Sequence, residues 1–172
     1  MAQILPFKIS VLIFIQDEQG RHLMIKRKKA PNKDCWSPIG GKLEMAQGES
    51  PFECACREAK EEVGIELVPA DLHLFGMVSE RGYEGNGHWL MFLFDCSKTM
   101  NCVPAEIDEG NFAFFSREQI KQIAIPPSDN VLVWPVYDKH AKAKTFCAYR
   151  AQCGGNALPA CIVEEEIGVP KK

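Results

Sequence analysis

Several things are missing from this 172-residue chain, and each absence narrows what it can be. No apolar run approaches the roughly 20 residues that span a bilayer. Lys8 to Ile15 is apolar but short, Asp17 and Glu18 follow at once, and no small-residue cleavage site is evident, so this stretch reads as a strand rather than a signal peptide. The chain lacks the basic surplus of a general nucleic-acid binder; its formal net charge is −3. It has no C-x-x-C pair and no Cys/His spacing suited to zinc. Its eight cysteines therefore read as buried or free thiols in a reducing cytoplasm. A disulfide or metal cluster among Cys147, Cys153 and Cys161 is the alternative. There is no internal repeat, long linker or low-complexity segment. With 46% hydrophobic and 25% charged residues, one globular domain over 1–172 is expected. Nothing in the chain specifies an oligomeric state.

What is present is concentrated between Gly41 and Ile65, GKLEMAQGESPFECACREAKEEVGI. Glu44, Glu49, Glu53, Glu58, Glu61 and Glu62 crowd one loop-helix segment, and carboxylates so close repel unless cations neutralise them. Hard divalent cations such as Mg²⁺ take oxygen ligands and are commonly shared with substrate phosphates. Ser50 is an N-cap, Pro51 occupies the first helical position and Glu53 completes a Ser-x-x-Glu capping box. The helix should run to about Val63, with Gly64 as its stop. Phe52, Ala55, Cys56, Ala59 and Val63 form an apolar stripe. Glu58, Glu61 and Glu62, at i, i+3 and i+4, share a different face. A solvated acidic face would normally carry interspersed lysines; here only Lys60 lies inside the run, while Arg57 is placed to pair with Glu61.

This segment resembles the Nudix box, G-x5-E-x7-R-E-U-x-E-E-x-G-U with U aliphatic. From Glu49 onward the spacing matches throughout: Arg57-Glu58, Glu61-Glu62, Val63, Gly64 and Ile65. Upstream, Gly41 to Glu49 encloses seven residues rather than five, a two-residue insertion at Met45-Ala46-Gln47. Ile39 stands where many members have Pro before the double Gly. The resemblance implies an α/β fold, a Nudix-like α-β-α sandwich around a mixed β-sheet, covering at least Lys8 to about Tyr137. It implies hydrolysis of a nucleoside diphosphate linked to another group, with Mg²⁺ or Mn²⁺. By motif position Glu58 and Glu62 look like the main metal ligands, Glu61 and Glu49 join as ligands or base, the Gly41 carbonyl contributes, and Arg57 orients a glutamate. A further acid from a distant loop is expected among Glu106, Asp108 and Glu109.

Elsewhere, Lys8–Gln16 and Arg21–Arg27 read as a hairpin through Asp17–Gly20. Arg27 ends a strand near the Gly-rich loop and is the candidate phosphate contact. Leu72–Glu80 and His88–Cys96 read as strands joined by a Gly-rich loop, 81–87, in which Tyr83 is placed to stack on a base. Trp36, before the Gly-Gly turn, is a second candidate substrate contact, while Trp89 is expected in the core. Asn111–Phe115 is a strand, Ser116–Ile125 a helix closed by Pro126-Pro127, and Ser128 or Asp129 opens another helical stretch broken near Pro135. Lys144–Gln152, a turn at Gly154-Gly155-Asn156 and Ala157–Glu165 look like a strand-turn-strand appendage, at about 144–165.

The expected substrate is a small nucleotide, with neither membrane nor nucleic acid as partner. Modest size and Trp36 lean toward a house-cleaning nucleoside triphosphate pyrophosphohydrolase. ADP-ribose, dinucleoside polyphosphate or nucleotide-sugar cleavage is the alternative, and a non-catalytic nucleotide-sensing module the alternative of another class.

Overall fold

The structure, a computed structural model, describes residues 7–83, 87–153 and 159–168. Its centre is a mixed sheet built from β1 (Phe7–Gln16), β2 (His22–Arg27), β3 (Trp36–Ser37), β4 (Leu72–Tyr83), β5 (Gly87–Thr99), β6 (Gly110–Phe115), β7 (Phe146–Gln152) and β8 (Ala160–Ile167). The order is β3-β2-β1-β5-β4-β7-β8, with β6 paired to β2. The pairs β1·β5 and β4·β7 are parallel; the others are antiparallel.

Both faces of the sheet are covered. On β1 the period-2 alternation of a strand sends Val11, Ile13 and Ile15 to one side and Phe14 to the other. The first side packs on α1 (Pro51–Val63), which buries Ala55, Ala59 and Val63 as its stripe predicts, but Cys54 more fully than Cys56. The second side packs on the short helices α2 (Arg117–Ile120), α3 (Asp129–Leu132) and α4 (Trp134–His140). There Trp134 and Tyr137 are buried against Phe14, whose ring stacks on Tyr137 at 4.7 Å. The layers are those of the expected α-β-α sandwich.

Three segments depart from the sequence reading, each because a distant partner decides. The helix expected over Ser116–Ile125 stops at Ile120, and beyond it the Ala124 carbonyl accepts the Trp36 N–H at 2.7 Å. The loop expected at 81–87 shrinks, because β4 continues to Tyr83 with Arg81 paired to both His88 and Gln152; its centre, 84–86, lies outside the described residues. The segment expected as an appendage is integral in its first strand. β7 pairs in parallel with β4 from Gly76 to Arg81, and Cys147, Tyr149 and Ala151 enter the core. Only β8, at the sheet edge, is exposed along its length. The turn read at Gly154-Gly155-Asn156 lies outside the described residues.

The sheet also splays. β2 meets β1 only at its start, Gln16 opposite His22. Further along, β1 bonds instead to the segment after β3: Ile13 N–H to the Ile39 carbonyl at 2.8 Å, and Val11 N–H to the Gly41 carbonyl at 2.9 Å. This pins the Gly40-Gly41 turn to the sheet beside α1 and leaves a cleft between the diverging strands.

Candidate active site

The acidic helix begins as its sequence dictates. Ser50 accepts the Glu53 N–H at 3.3 Å and Glu53 accepts the Ser50 N–H at 2.8 Å, with Pro51 at the first position. Such a box stabilises a helix by about 1 kcal/mol and fixes its rotation relative to the loop. The inserted Met45-Ala46-Gln47 forms one exposed 3₁₀ turn that leaves α1 regular.

Arg57 gathers the carboxylates. Its Nε and one terminal nitrogen reach the two Glu49 oxygens at 2.7 and 3.0 Å, a bidentate pair. The other terminal nitrogen reaches Glu58 at 2.8 Å and Glu61 at 3.0 Å, and the Lys42 carbonyl accepts at 3.1 Å. Glu49 is thereby placed behind the guanidinium. Its second oxygen also accepts the Glu44 N–H at 2.7 Å, and it does not line the cleft. In this geometry its carboxylate is engaged with Arg57 and stands apart from the cleft lining. The Arg57 hydrogen bonds hold its carboxyl below the usual range.

Glu58, Glu61 and Glu62 do line the cleft, with Gly41 and Arg27. Burial raises the Glu58 carboxyl, opposed by Arg57. Burial pushes Glu62 up to about 7, opposed by the Gly40 N–H at 3.1 Å and reinforced by Glu58 and Glu109. The Gly-Gly turn fits closely: a Cβ on Gly41 would stand 2.1 Å from a Glu58 oxygen, and one on Gly40, at φ +143°, 2.2 Å from the Val11 carbonyl.

Of the three distant acids, Glu109 is the one that lines the cleft. Its carbonyl accepts the Lys28 N–H at 2.9 Å just before β6, which anchors it there. Glu106 pairs with Lys28 at 2.6 Å, and Asp108 is exposed. Glu58, Glu62, Glu61, Glu109 and the Gly41 carbonyl are all hard oxygen donors, and their carboxylates outnumber the cations beside them. That donor set fits a divalent ion such as Mg²⁺.

The cleft encloses about 580 Å³, within the range of ligand pockets. Tyr83 lines it, and its hydroxyl donates to Asn32 Oδ1 at 2.5 Å. Trp89 lines it too, half-buried, with the Lys8 ammonium 5.1 Å and the Lys42 ammonium 6.0 Å from its ring. It is not the core residue expected, because β5 turns that face toward the splayed opening. Trp36 does not line the cleft; it packs edge-on against Phe115 at 4.8 Å. Arg27 donates through Nε to the Pro31 carbonyl at 2.8 Å, which sets its guanidinium at the cleft wall.

Two buried acids of the cleft were not anticipated there from the sequence. Glu80 on β4 and Asp129 at the start of α3 are buried, 3% and 8% exposed. Burial pushes Glu80 up to about 7, and burial together with the Glu80 charge pushes Asp129 up to about 8. A lone acid in an apolar strand and an acid after Ser128 are the weak signals that were there.

The chain belongs to the Nudix family: the family model of the NUDIX domain matches residues 6–134. It is 31% identical over 114 residues, 64% of its length, to the ADP-ribose pyrophosphatase of Methanocaldococcus jannaschii, of which 63% is covered. It is 41% identical over 69 residues, 40% of its length, to the dihydroneopterin triphosphate diphosphatase of Escherichia coli, of which 43% is covered. The chain thus spans less than two thirds of each of these relatives. Among solved structures, the MutT protein of Bacillus halodurans superposes with a TM-score of 0.71 at 17% identity, over 91% of this chain and 97% of that one. That likeness is one of fold. Among the described residues no helix is long and apolar enough to cross a membrane.

Proposed function

We propose that this protein is a Mg²⁺-dependent pyrophosphohydrolase that cleaves the diphosphate linkage of a nucleotide, with a nucleoside triphosphate type of substrate favoured. The observation that carries the reading is one continuous cleft. Glu58, Glu61, Glu62, Glu109 and Arg27 line it together, and so do Tyr83, Trp89 and two buried acids, Glu80 and Asp129. The diphosphate belongs with the first group and the ring with the second.

The bound cation would neutralise the charge that builds on the phosphate oxygens and favour an attacking water. The protein does the rest. Arg27, already tied to Pro31, offers its remaining N–H groups to a phosphate. The water oxygen bonds to phosphorus, the bridging P–O bond breaks, and the water's proton passes to a carboxylate. Glu58 and Glu61, held by the same Arg57 nitrogen, are the candidates to take it. Arg57 is a positioning residue: fixed by Glu49, it holds both acceptors still.

The relatives favour two substrate classes, a triphosphate such as dihydroneopterin triphosphate and ADP-ribose. The free thiols suit a cytoplasmic setting. The test is turnover of a panel of nucleoside triphosphates, dihydroneopterin triphosphate, dinucleoside polyphosphates, ADP-ribose and nucleotide sugars, with and without chelator, and with products identified. Chelator-sensitive release of pyrophosphate and a monophosphate supports the reading. Preferred cleavage of ADP-ribose to AMP and ribose 5-phosphate replaces the substrate class, and tight binding without turnover of any member makes the protein a sensor.

A further inference from the structure

At the β8 edge of the sheet, three ligand-bearing side chains from three elements converge. His140 is the last residue of α4, Cys147 lies on β7 and Glu166 lies on β8. Cys147 and Glu166 are directly opposite in the β7–β8 ladder, so their side chains share one face of the sheet. That is the face on which α4 packs. His140 and Cys147 are each only 1% exposed. His140 Nε2 stands 3.3 Å from Glu166 Oε1. The histidine nitrogen, the Cys147 sulfur and a Glu166 oxygen all lie within 4.8 Å of one another. The buried Cys147 thiol is free and makes no hydrogen bond among the described residues. None of the three residues lines the cleft.

We propose that His140, Cys147 and Glu166 form a metal site separate from the cleft, for a zinc-class ion that ties the edge strand β8 to β7 and α4. One nitrogen, one sulfur and one oxygen make a donor set of intermediate softness, which suits Zn²⁺ and not Mg²⁺. With metal–ligand lengths of about 2.0–2.3 Å, tetrahedral ligands stand about 3.3–3.6 Å apart. The His140–Glu166 separation already has that value, and side-chain torsions bring the sulfur the remaining distance. The imidazole is held as a ligand needs. In the tautomer with its proton on Nδ1, His140 donates to the Thr145 hydroxyl at 2.7 Å, and Nε2 keeps its lone pair for the ion. Thr145 is itself held, its N–H donating to the His140 carbonyl at 3.1 Å. On binding, the thiol gives its proton to solvent and the sulfur becomes a ligand. β8 is exposed along its length, which leaves the fourth position to water. Lys139 competes for the same Glu166 oxygen, at 2.5 Å, on a side chain 53% exposed that swings into solvent when the ion enters. No zinc spacing marks these residues in the sequence, because the third ligand arrives across the ladder.

The test titrates Co²⁺, a spectroscopic stand-in for Zn²⁺, into reduced, metal-free protein with Mg²⁺ held at a saturating level. Oxygen donors in the cleft give no sulfur-to-cobalt charge-transfer band, so the band reports a thiolate-bound ion. Wild-type protein should show that band together with the intense visible absorption of a tetrahedral ion, and Zn²⁺ should bleach both. Cys147→Ser should lose the band. Glu166→Gln, on the exposed strand, should weaken Co²⁺ binding by about tenfold or more. A wild type without the band overturns the proposal, and so does a band that survives in Cys147→Ser, which would place the ion on another thiol. If Cys147→Ser loses its melting transition, Glu166→Gln decides, and an unchanged Co²⁺ affinity there overturns the site. A plain ion pair of Glu166 with Lys139 and His140 would lower the melting temperature of Glu166→Gln and give no cobalt spectrum in any variant. The outcome is independent of whether the cleft hydrolyses nucleotides.

Discussion

Carboxylates in and around the cleft stand in two opposite surroundings, an outer cluster on Arg57 and an inner, buried pair. In the outer cluster Glu49, Glu58 and Glu61 all reach one guanidinium, and Arg27 stands near Glu62. In the inner pair Glu80 and Asp129 have a thiol and a hydroxyl. The outer acids still carry more negative charge than their cations offset, and they are open enough for an ion to enter; Glu61 is 60% exposed. The inner acids are enclosed, and burial raises both carboxyls above their ordinary range. The same functional group thus stands in an open, guanidinium-bound cluster in one place and in an enclosed pair in the other. The difference lies in what faces it and how much water reaches it.

The largest effect should come from the outer cluster. Glu62→Gln removes a charged ligand while keeping shape, and turnover under saturating Mg²⁺ should fall by roughly 10²–10³-fold or more. Chelation of wild-type protein should abolish turnover, and Mg²⁺ or Mn²⁺ should restore it. Full activity after exhaustive chelation would falsify the assignment of this cluster to metal.

A smaller loss, about 10–100-fold in kcat, is expected for Arg57→Ala, because it releases Glu58 and Glu61 without removing either. Glu49→Gln should be milder than Glu58→Gln or Glu62→Gln, since Glu49 acts only through Arg57. Equal losses for Glu49→Gln and Glu62→Gln, with melting temperatures unchanged, would return Glu49 to the metal.

The aromatic residues lining the cleft come next. Trp89→Ala and Tyr83→Ala should each raise KM by about tenfold, in line with the 1–3 kcal/mol of aromatic stacking on a ring. Trp89→Ala should lower the melting temperature far less than truncation of the buried Trp134. A collapse of the fold in Trp89→Ala would put that ring back in the core.

The smallest effect is a pH slope in stability. Asp129 is raised to about 8 and Glu80 to about 7, above ordinary values near 4. Between those limits the folded protein holds more protons than the unfolded chain, so stability falls as pH rises. The stabilisation is complete below the unfolded values and gone above about pH 8. The groups interacting with this pair are each other, Cys153, Ser128, Cys35 and Tyr149, and none of them is a cation. Metal-free protein should melt progressively lower from pH 5 to 8, by about 2–4 °C for each kcal/mol lost. Glu62 slopes the same way, so the measurement is the difference between wild type and Asp129→Asn, which should be flatter. Parallel curves would mean that Asp129 titrates normally.

Of this molecule, the sequence by itself determined the parts that are local. The capping box, the run of α1 from Pro51 to Val63, the shared face of Glu58, Glu61 and Glu62 and the Arg57–Glu61 pair all follow from spacing within one helix, where neighbours three and four residues apart must meet. The β1–β2 hairpin through Asp17 was legible for the same reason, since Asp17 caps its own turn by accepting the Gln19 and Arg21 N–H groups. The tertiary structure decided everything that depends on which distant strand lies alongside. It brought Glu109, and neither Glu106 nor Asp108, to the cleft lining, with the Lys28 N–H bonded to the Glu109 carbonyl just before β6. It moved Glu49 behind Arg57, turned Trp89 into the cleft and Trp36 onto Phe115, and drew β7 into the sheet beside β4. It also created the inner acid pair, because Glu80 and Asp129 come from elements far apart in the chain. A residue's own spacing says which face of its element it occupies; only the packing of that face against another element says whether it meets solvent, a ring or a second carboxylate.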